Sequence, residues 1–331
     1  MVYPPPLNVV GFSEVVFRIS HLFKALQKVK EAWGYHKPDL IILIDYPDMN
    51  LRLAKAAHKV KIPVLYYISP QVWAWRSGRV KSIARYVDRL AVILPFEESF
   101  YKTFGVQVEF VGHPLLDRIR NETREREIPS PVDSPDQILI GLLPGSRPAE
   151  IKAILPTLLD TAALLTRQYG QRIRFVLPVA ATLDFKLIQE EIRPYQEQGV
   201  SLELTSGDSQ KALGRCHLAI VASGTVTLEA AILGIPILIV YKLSSVNYWI
   251  ARQLIDLPYV GLVNLVAGEK IIPEYIQKGA VPEAIMEGAR RYLEDPDYYR
   301  NIRGRLLEVG DKLGHPGASV RVAQMSWEMM S

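Results

Sequence analysis

Ile138-Leu139-Ile140-Gly141-Leu142-Leu143-Pro144-Gly145-Ser146-Arg147 is an apolar run closed by a proline, a glycine and a basic residue. An uninterrupted apolar run of this length fits a strand buried on both faces, and the helical pattern over 149–168 makes the stretch a strand, a turn and a helix. That is the repeating unit of a parallel α/β sheet, whose ligands bind outside the carboxyl ends of the strands. A helix start at this turn would present free backbone N–H groups and a partial positive charge. Gly145 would let the backbone approach a ligand closely, and Arg147 would pair with phosphate oxygens. Gly145, Ser146 and Arg147 are therefore candidates for binding a nucleotide, with an ordinary turn and a solvated arginine as the alternative.

Toward the C-terminus the pattern repeats. Ile173 to Leu177, His217 to Val221 and Ile235 to Val240 read as strands, with helices around 182–197, 225–233 and 245–256. Ala222-Ser223-Gly224-Thr225-Val226-Thr227-Leu228-Glu229 places a second glycine-assisted helix start in the same sheet. Ser223 is suited to cap it, Gly224 to open space and Thr225 to offer a hydroxyl. Glu229, one turn beyond Thr225, is placed to accept both hydroxyls of a ribose. Two such starts on one sheet point to a nucleotide diphosphate. Neither is a G-x-G-x-x-G or G-x-x-x-x-G-K-[ST] loop, so NAD and ATP are not supported. Asp295-Pro296-Asp297 imitates a metal motif but sits in a turn between helical segments, so no metal or other cofactor is expected.

Toward the N-terminus, Asp39 to Ile44, Pro63 to Ile68 and Asp88 to Leu94 are short apolar runs separated by helical stretches, followed by a weaker strand, Val108 to Val111. Between Asp117 and Asp136 the chain turns charged and poor in large apolar residues, which marks a linker. The organisation is thus a first domain with linker over 1–135, a second over 136–312, and a segment 313–331 whose helix, 317–330, is long enough to pack back on the first. Two doubly wound α/β domains facing each other across a cleft fit this order.

The turns of the first domain carry the remaining candidates. Asp45-Tyr46-Pro47-Asp48-Met49-Asn50 brings two carboxylates and an amide to a strand end; Asp48, desolvated and close to Asp45, would have its proton affinity raised toward that of a general base. Ser69-Pro70-Gln71-Val72-Trp73-Ala74-Trp75-Arg76 puts two tryptophans and an arginine into one turn, an aromatic shelf beside a positive charge. Glu97, in Pro95-Phe96-Glu97, is a helix-start acid or a sugar ligand. His113 lies near the domain junction, where a lone histidine is usually structural. Val15, Ile19, Leu22, Phe23, Leu26 and Val29 recur at helical spacing with Arg18, Lys24, Lys28 and Lys30 between them, a core-facing helix or a basic interfacial one.

The 331 residues are 49% hydrophobic and 22% charged with net charge +4, a globular composition with a mild preference for anionic partners. Cys216 is the only cysteine, which excludes disulfides within the chain and points to a reducing compartment. No apolar run reaches the length of a membrane span and the N-terminus lacks a signal-peptide pattern, so a cytoplasmic protein, or one on the cytoplasmic face of a membrane, is expected.

In order, Ile44 to Asn50, Tyr67 to Arg76, Leu94 to Glu97, Val111 to Pro114, Leu142 to Arg147 with Glu150, Ala222 to Glu229, and Asn264-Leu265 resemble the motifs of the lipid-A-disaccharide synthases, glycosyltransferases with two Rossmann-like domains of the GT-B type. The resemblance runs over nearly the whole chain from about Leu7. It implies transfer from UDP-2,3-diacylglucosamine to 2,3-diacylglucosamine 1-phosphate, forming a β(1→6) disaccharide and releasing UDP. By the same resemblance Asp48 is catalytic with Asp45 and Asn50 orienting it. Ser69, Trp73, Trp75, Arg76, Glu97 and His113 line the acceptor side, and Asn264 joins the nucleotide residues. The implied partners are these two substrates and an anionic membrane surface on the inner face of the cytoplasmic membrane, with no nucleic acid; a homodimer is admitted. The family's first strand and Gly-Glu-x-Ser-Gly-Asp loop have no counterpart before Leu7, so the first domain is expected to be truncated at its N-terminus. Leu262-Val263-Asn264-Leu265 has Val where the family commonly has Pro. Another glycosyltransferase or a UDP-sugar epimerase of the same architecture, and a nucleotide-sugar-binding protein without catalysis, are the competing readings; the two enzymes would not be expected to carry the Trp-Ala-Trp-Arg turn.

Overall fold

A computed structural model describes residues 12–74, 78–119, 130–131, 137–243 and 257–331, with side chains of the first helix described from Lys24 onward. Trp75, Arg76, the helix expected over 245–256 and the side chains of Val15, Ile19, Leu22 and Phe23 lie outside what is described. The chain divides into two compact units, Met1–Asp117 with Leu313–Ser331, and Arg118–Lys312.

In the first unit the order is α1 (Phe12–His36), β1 (Ile41–Ile44), α2 (Pro47–Lys59), β2 (Val64–Tyr67), α3 (Arg79–Tyr86), β3 (Arg89–Val92), α4 (Pro95–Lys102), β4 (Val108–Phe110) and a single turn, α5 (Leu115–Arg118). The strands pair in parallel in the order β1-β2-β3-β4, with Ile41 opposite Val64 and Leu65 opposite Arg89. Because crossovers between parallel strands are right-handed, a sheet that adds strands in one direction receives its helices on one face. Leu53, Ala54 and Ala57 of α2, Val80 and Ile83 of α3, and Tyr101 of α4 accordingly pack on Leu43, Val64, Tyr66, Leu90 and Val92. Leu26 of α1 joins this core, while Lys24, Lys28 and Lys30 are exposed.

The second unit contains β5 (Ile138–Leu143), α6 (Pro148–Tyr169), β6 (Ile173–Val179), α7 (Phe185–Glu197), β7 (Leu202–Ser206), α8 (Ser209–Leu213), β8 (Leu218–Ala222), α9 (Val226–Leu233), β9 (Ile237–Tyr241), α10 (Leu262–Ala267), β10 (Glu274–Ile276), α11 (Pro282–Glu294) and α12 (Pro296–Lys312). Its six strands are parallel in the order β10-β9-β8-β5-β6-β7. Strands β7 and β10 do not stand out in the sequence. Both are edges, and Leu-Glu-Leu-Thr-Ser and Glu-Tyr-Ile lack the apolar runs that mark the buried strands. Cys216 is buried, and burial pushes its thiol up to about 12, so it is an inert core residue. Among the described residues no helix is long and apolar enough to cross a membrane.

The last helix, α13 (Ala318–Met330), belongs to the first unit. Val322 and Met325 cover the sheet face that the crossover helices leave bare, against Leu65, Tyr67, Ala91 and Val111. A backbone hydrogen bond from His113 N–H to Leu313 O at 2.9 Å and a side-chain one from Arg321 Nε to Val111 O at 2.9 Å fix its approach. Met325→Ala is expected to destabilise the first unit by about 2–5 kcal/mol through the cavity it leaves. Chemical denaturation followed separately in the two units would show the loss confined to the first; equal loss in both would contradict this role for α13.

Candidate functional site

In the second unit the chain builds β5, β6 and β7 outward in one direction, then returns to place β8 on the other side of β5 and continues to β9 and β10. The β5–β8 boundary is thus a topological switch point, where the loops after two neighbouring strands diverge to opposite faces and leave a crevice. With Leu143 opposite Val221, the turns Pro144–Arg147 and Ser223–Thr225 are neighbours at that crevice.

Gly145 has φ +111°, and a side chain there would collide with Glu150, so only glycine fits. Glu150 Oε2 accepts from Ser146 N at 3.1 Å and Arg147 N at 3.3 Å, and Oε1 accepts from Arg147 Nη1 at 2.8 Å. The N–H groups expected to be free at this helix start are therefore engaged by the helix's own third residue. The Arg147 side chain remains 75% exposed.

Ser223 is not the cap of α9. Its Oγ donates to Val260 O at 2.8 Å, and Thr225, exposed, takes the cap position without a side-chain bond. At Gly224 a side chain would meet open space. Glu229 is 9% exposed, its Oε2 has no hydrogen-bond partner, and its carboxyl is pushed up by burial, opposed by Arg118 and reinforced by Asp208. Asn264 is placed otherwise than a nucleotide ligand. Fully buried, it accepts from Ile271 N and Ile272 N and donates to Ile272 O and Glu274 Oε1, so both ends of the amide hold the 260–274 segment together. Lys242, at the end of β9, escaped sequence reasoning; its Nζ donates to Thr157 Oγ1 at 2.6 Å.

In the first unit, the desolvation expected for Asp48 is not formed. Its side chain is 63% exposed, not buried, and its carboxylate faces Arg79 in an ion pair. Arg79 is the residue sequence reasoning missed, because it is 31 positions away and no local pattern joins the two. Asp45 and Tyr46 both have left-handed backbones, φ 47° and 43°, so the chain turns sharply out of β1. Asn50 Nδ2 donates to Ile44 O and Asp45 O, at 2.9 and 2.6 Å, and Tyr66 Oη donates to Asp45 O at 2.8 Å. Asn50 therefore shapes the loop that carries Asp48.

The β2 loop starts with Ile68 at φ 61°, a strained setting for a β-branched residue. Glu97 is buried and accepts from Ser69 Oγ, Trp73 Nε1, Ile93 N and Leu94 N, which makes it an internal acceptor and removes it as a sugar ligand. His113 is buried too; its Nδ1 accepts from Leu115 N at 3.1 Å, the arrangement of a structural histidine.

The profile described as Lipid-A-disaccharide synthetase matches residues 2–310. The lipid-A-disaccharide synthase of Syntrophus aciditrophicus is 44% identical over 321 residues, 97% of this chain and 83% of that protein. That of Trichlorobacter lovleyi is 45% identical over 328 residues, 98% of this chain and 84% of the relative. Among solved structures, a putative UDP-N-acetylglucosamine 2-epimerase from Listeria monocytogenes has TM-score 0.62 at 13% identity, covering 96% of this chain and 80% of its own. A Staphylococcus aureus MnaA–UDP structure has TM-score 0.61 at 13% identity, with coverages of 96% and 81%. Acinetobacter baumannii MurG has TM-score 0.58 at 15% identity, with coverages of 96% and 82%. These structures share the two-sheet α/β fold.

His113 yields a test of the first unit. Burial lowers its pKa from 6.5 to about 4, so between those values the unfolded chain binds more protons than the folded one. Its contribution is complete above pH 6.5 and lost as pH falls toward 4, amounting to about 3 kcal/mol at most. His113→Asn, which keeps an acceptor for Leu115 N, is expected to flatten this acid loss in denaturant midpoints taken from pH 7.5 down. An unchanged pH slope would contradict it.

Proposed function

Because this chain belongs to the lipid-A-disaccharide synthase family of hexosyltransferases in lipid A biosynthesis, we propose that it joins UDP-2,3-diacylglucosamine to 2,3-diacylglucosamine 1-phosphate by an inverting displacement without metal. The acceptor 6-hydroxyl oxygen bonds to the anomeric carbon, and the bond from that carbon to the diphosphate oxygen breaks. The electron pair leaves with UDP and the hydroxyl proton passes to Asp48, where proton removal by a positioned carboxylate is general-base catalysis.

The observation that carries this reading is the switch point with Glu229 beside it. A buried carboxylate oxygen without a donor costs about 1–3 kcal/mol, and the hydroxyls of a ribose would supply that donor. The paired turns at Gly145–Arg147 and Ser223–Thr225 are where a diphosphate would lie. Arg147, exchanging Glu150 for a phosphate oxygen, would take up charge on the leaving group. The Staphylococcus aureus neighbour solved with UDP has the same fold, in keeping with a uridine diphosphate here. On the acceptor side, Arg79 directs Asp48, Asp45 and Asn50 set its loop, and the Ser69–Arg76 turn supplies the wall. Both substrates carry acyl chains, so the enzyme would work on the anionic inner face of the cytoplasmic membrane, with the exposed lysines of α1 toward the lipid.

The purified chain, given both substrates, is expected to release one UDP per disaccharide. Asp48→Asn should lower kcat about 100- to 10,000-fold, and Glu229→Gln should weaken UDP binding by about tenfold while leaving the protein folded. Turnover that survives Asp48→Asn would sink the base assignment, and UDP binding with no disaccharide formed would leave a binding protein in place of an enzyme.

A further inference from the structure

Glu97 is 1% exposed, and each of its carboxylate oxygens serves a different loop. Oε1 accepts from Ser69 Oγ at 2.8 Å and Trp73 Nε1 at 2.9 Å, both in the loop after β2. Oε2 accepts from Leu94 N at 3.0 Å and Ile93 N at 3.3 Å, where the chain leaves β3 and enters α4. None of these four donors is charged. A carboxylate held in this way loses its hydration and gains no Coulomb partner from its donors, and burial pushes it above the ordinary glutamate range. Stability alone does not call for such a group, since an apolar side chain of similar volume would fill the space without desolvating a charge.

What the four bonds secure is the geometry of the β2 loop. Ile68 leaves the strand with a left-handed backbone while its N–H stays bonded to Ala91 O at 3.1 Å. Tyr101 Oη donates to Pro70 O at 3.0 Å, and the Trp73 ring meets Phe96 edge-on, centroids 4.8 Å apart at 90°. The loop is thereby attached to α4 at Pro70, at Ser69 and at Trp73. Only a carboxylate can serve both loops at once. A glutamine would turn an N–H pair toward one set of donors, so one half of the arrangement must open.

We propose that Glu97 is a positioning residue for the acceptor-side loop: it locks Ser69 and the Trp73 indole to the start of α4, so that the loop meets the acceptor already in its working shape. The inference rests on the reading above that this loop contacts the acceptor. Preorganised loops of this type forgo the ordering cost that a mobile one would meet on binding.

The experiment is Glu97→Gln in the full chain, measured in two ways. The first is the indole N–H resonance of Trp73 in 15N-labelled protein, identified by its disappearance in Trp73→Phe. It is expected to shift and to lose protection from solvent exchange. The second is steady-state transfer: kcat/KM for the acceptor should fall on the order of tenfold while KM for the UDP-sugar moves less than about twofold. Ser69→Ala, which removes one donor and keeps the charge, should shift both readouts in the same direction by less, and it serves if Glu97→Gln does not fold. A Trp73 indole signal unchanged in both variants would overturn the clamp, as would donor and acceptor constants that fall together. If the wild-type chain forms no disaccharide, the functional reading fails, and the indole resonance still decides whether Glu97 holds the loop.

Discussion

Parallel pairing of β5 with β8, Leu142 on Ile220 and Leu143 on Val221, is the constraint from which the second unit's chemistry follows. Parallel strands exit at the same edge, so pairing two strands that are distant in sequence sets their exit loops side by side. Here the intervening β6 and β7 have gone to the opposite side of β5, and neither crossover fills the gap between the two exits. Two helix starts and a glycine that admits no side chain then face one crevice. Glu229 lies one turn into the second helix, where the burial of its partnerless oxygen is partly countered by the charge of Arg118.

The first unit reaches order by another route. Its strands advance in one direction, and nothing among the described residues reverses them. Instead, left-handed backbones stand where β1 and β2 end, as they also do at Lys37 and Lys61. Asp45, Tyr46 and Ile68 all hold backbones that L-residues avoid, each costing about 1–3 kcal/mol. Such conformations persist only when neighbours over-determine them. At β1 these neighbours are Asn50 and Tyr66, bonded to the carbonyls of Ile44 and Asp45; at β2 they are Tyr101 and the Glu97 carboxylate. Tyr66 and Tyr101 are both buried and both pushed above the ordinary tyrosine range by burial, so their hydroxyls act as fixed neutral donors.

Much of this framework is legible in the sequence because burial on both faces leaves a simple mark. Val64 to Tyr67 and Leu218 to Ala222 are apolar throughout, buried along their whole length and followed within two residues by serine, which is how a strand entering a βα loop reads. The edges β7 and β10 leave no such mark. Side-chain partners are less legible still, since a residue type states what a group can do and not what it will meet. Asp48 reads as half of a carboxylate pair, yet the chain brings Arg79 to it from α3. Asn264 joins the nucleotide residues by resemblance, and its amide is engaged by the backbone of Ile271 and Ile272 and by Glu274. Arg79 comes to Asp48 from 31 residues away, while Asn264 meets backbone partners seven and eight residues on.

Glu97 and Glu150 show how far local grammar reaches. Both sit third in a helix that opens with proline, in Leu94-Pro95-Phe96-Glu97 and Arg147-Pro148-Ala149-Glu150, and both return a carboxylate oxygen to the N–H before the proline, at 3.0 and 3.3 Å. Proline at the first helical position and an acid at the third are a helix-start signature, so the backbone half of each arrangement is set locally. The other oxygen is where they part. At Glu150 it meets the exposed guanidinium of Arg147 three residues away, a contact that water weakens and that an incoming anion can replace. At Glu97 it meets Ser69 and Trp73 from another loop, in a place water does not reach, where each bond is worth more and none exchanges without opening the fold. The same four-residue phrase therefore makes a releasable contact at one helix start and a permanent fastening at the other, and burial, which the phrase does not encode, is what separates them.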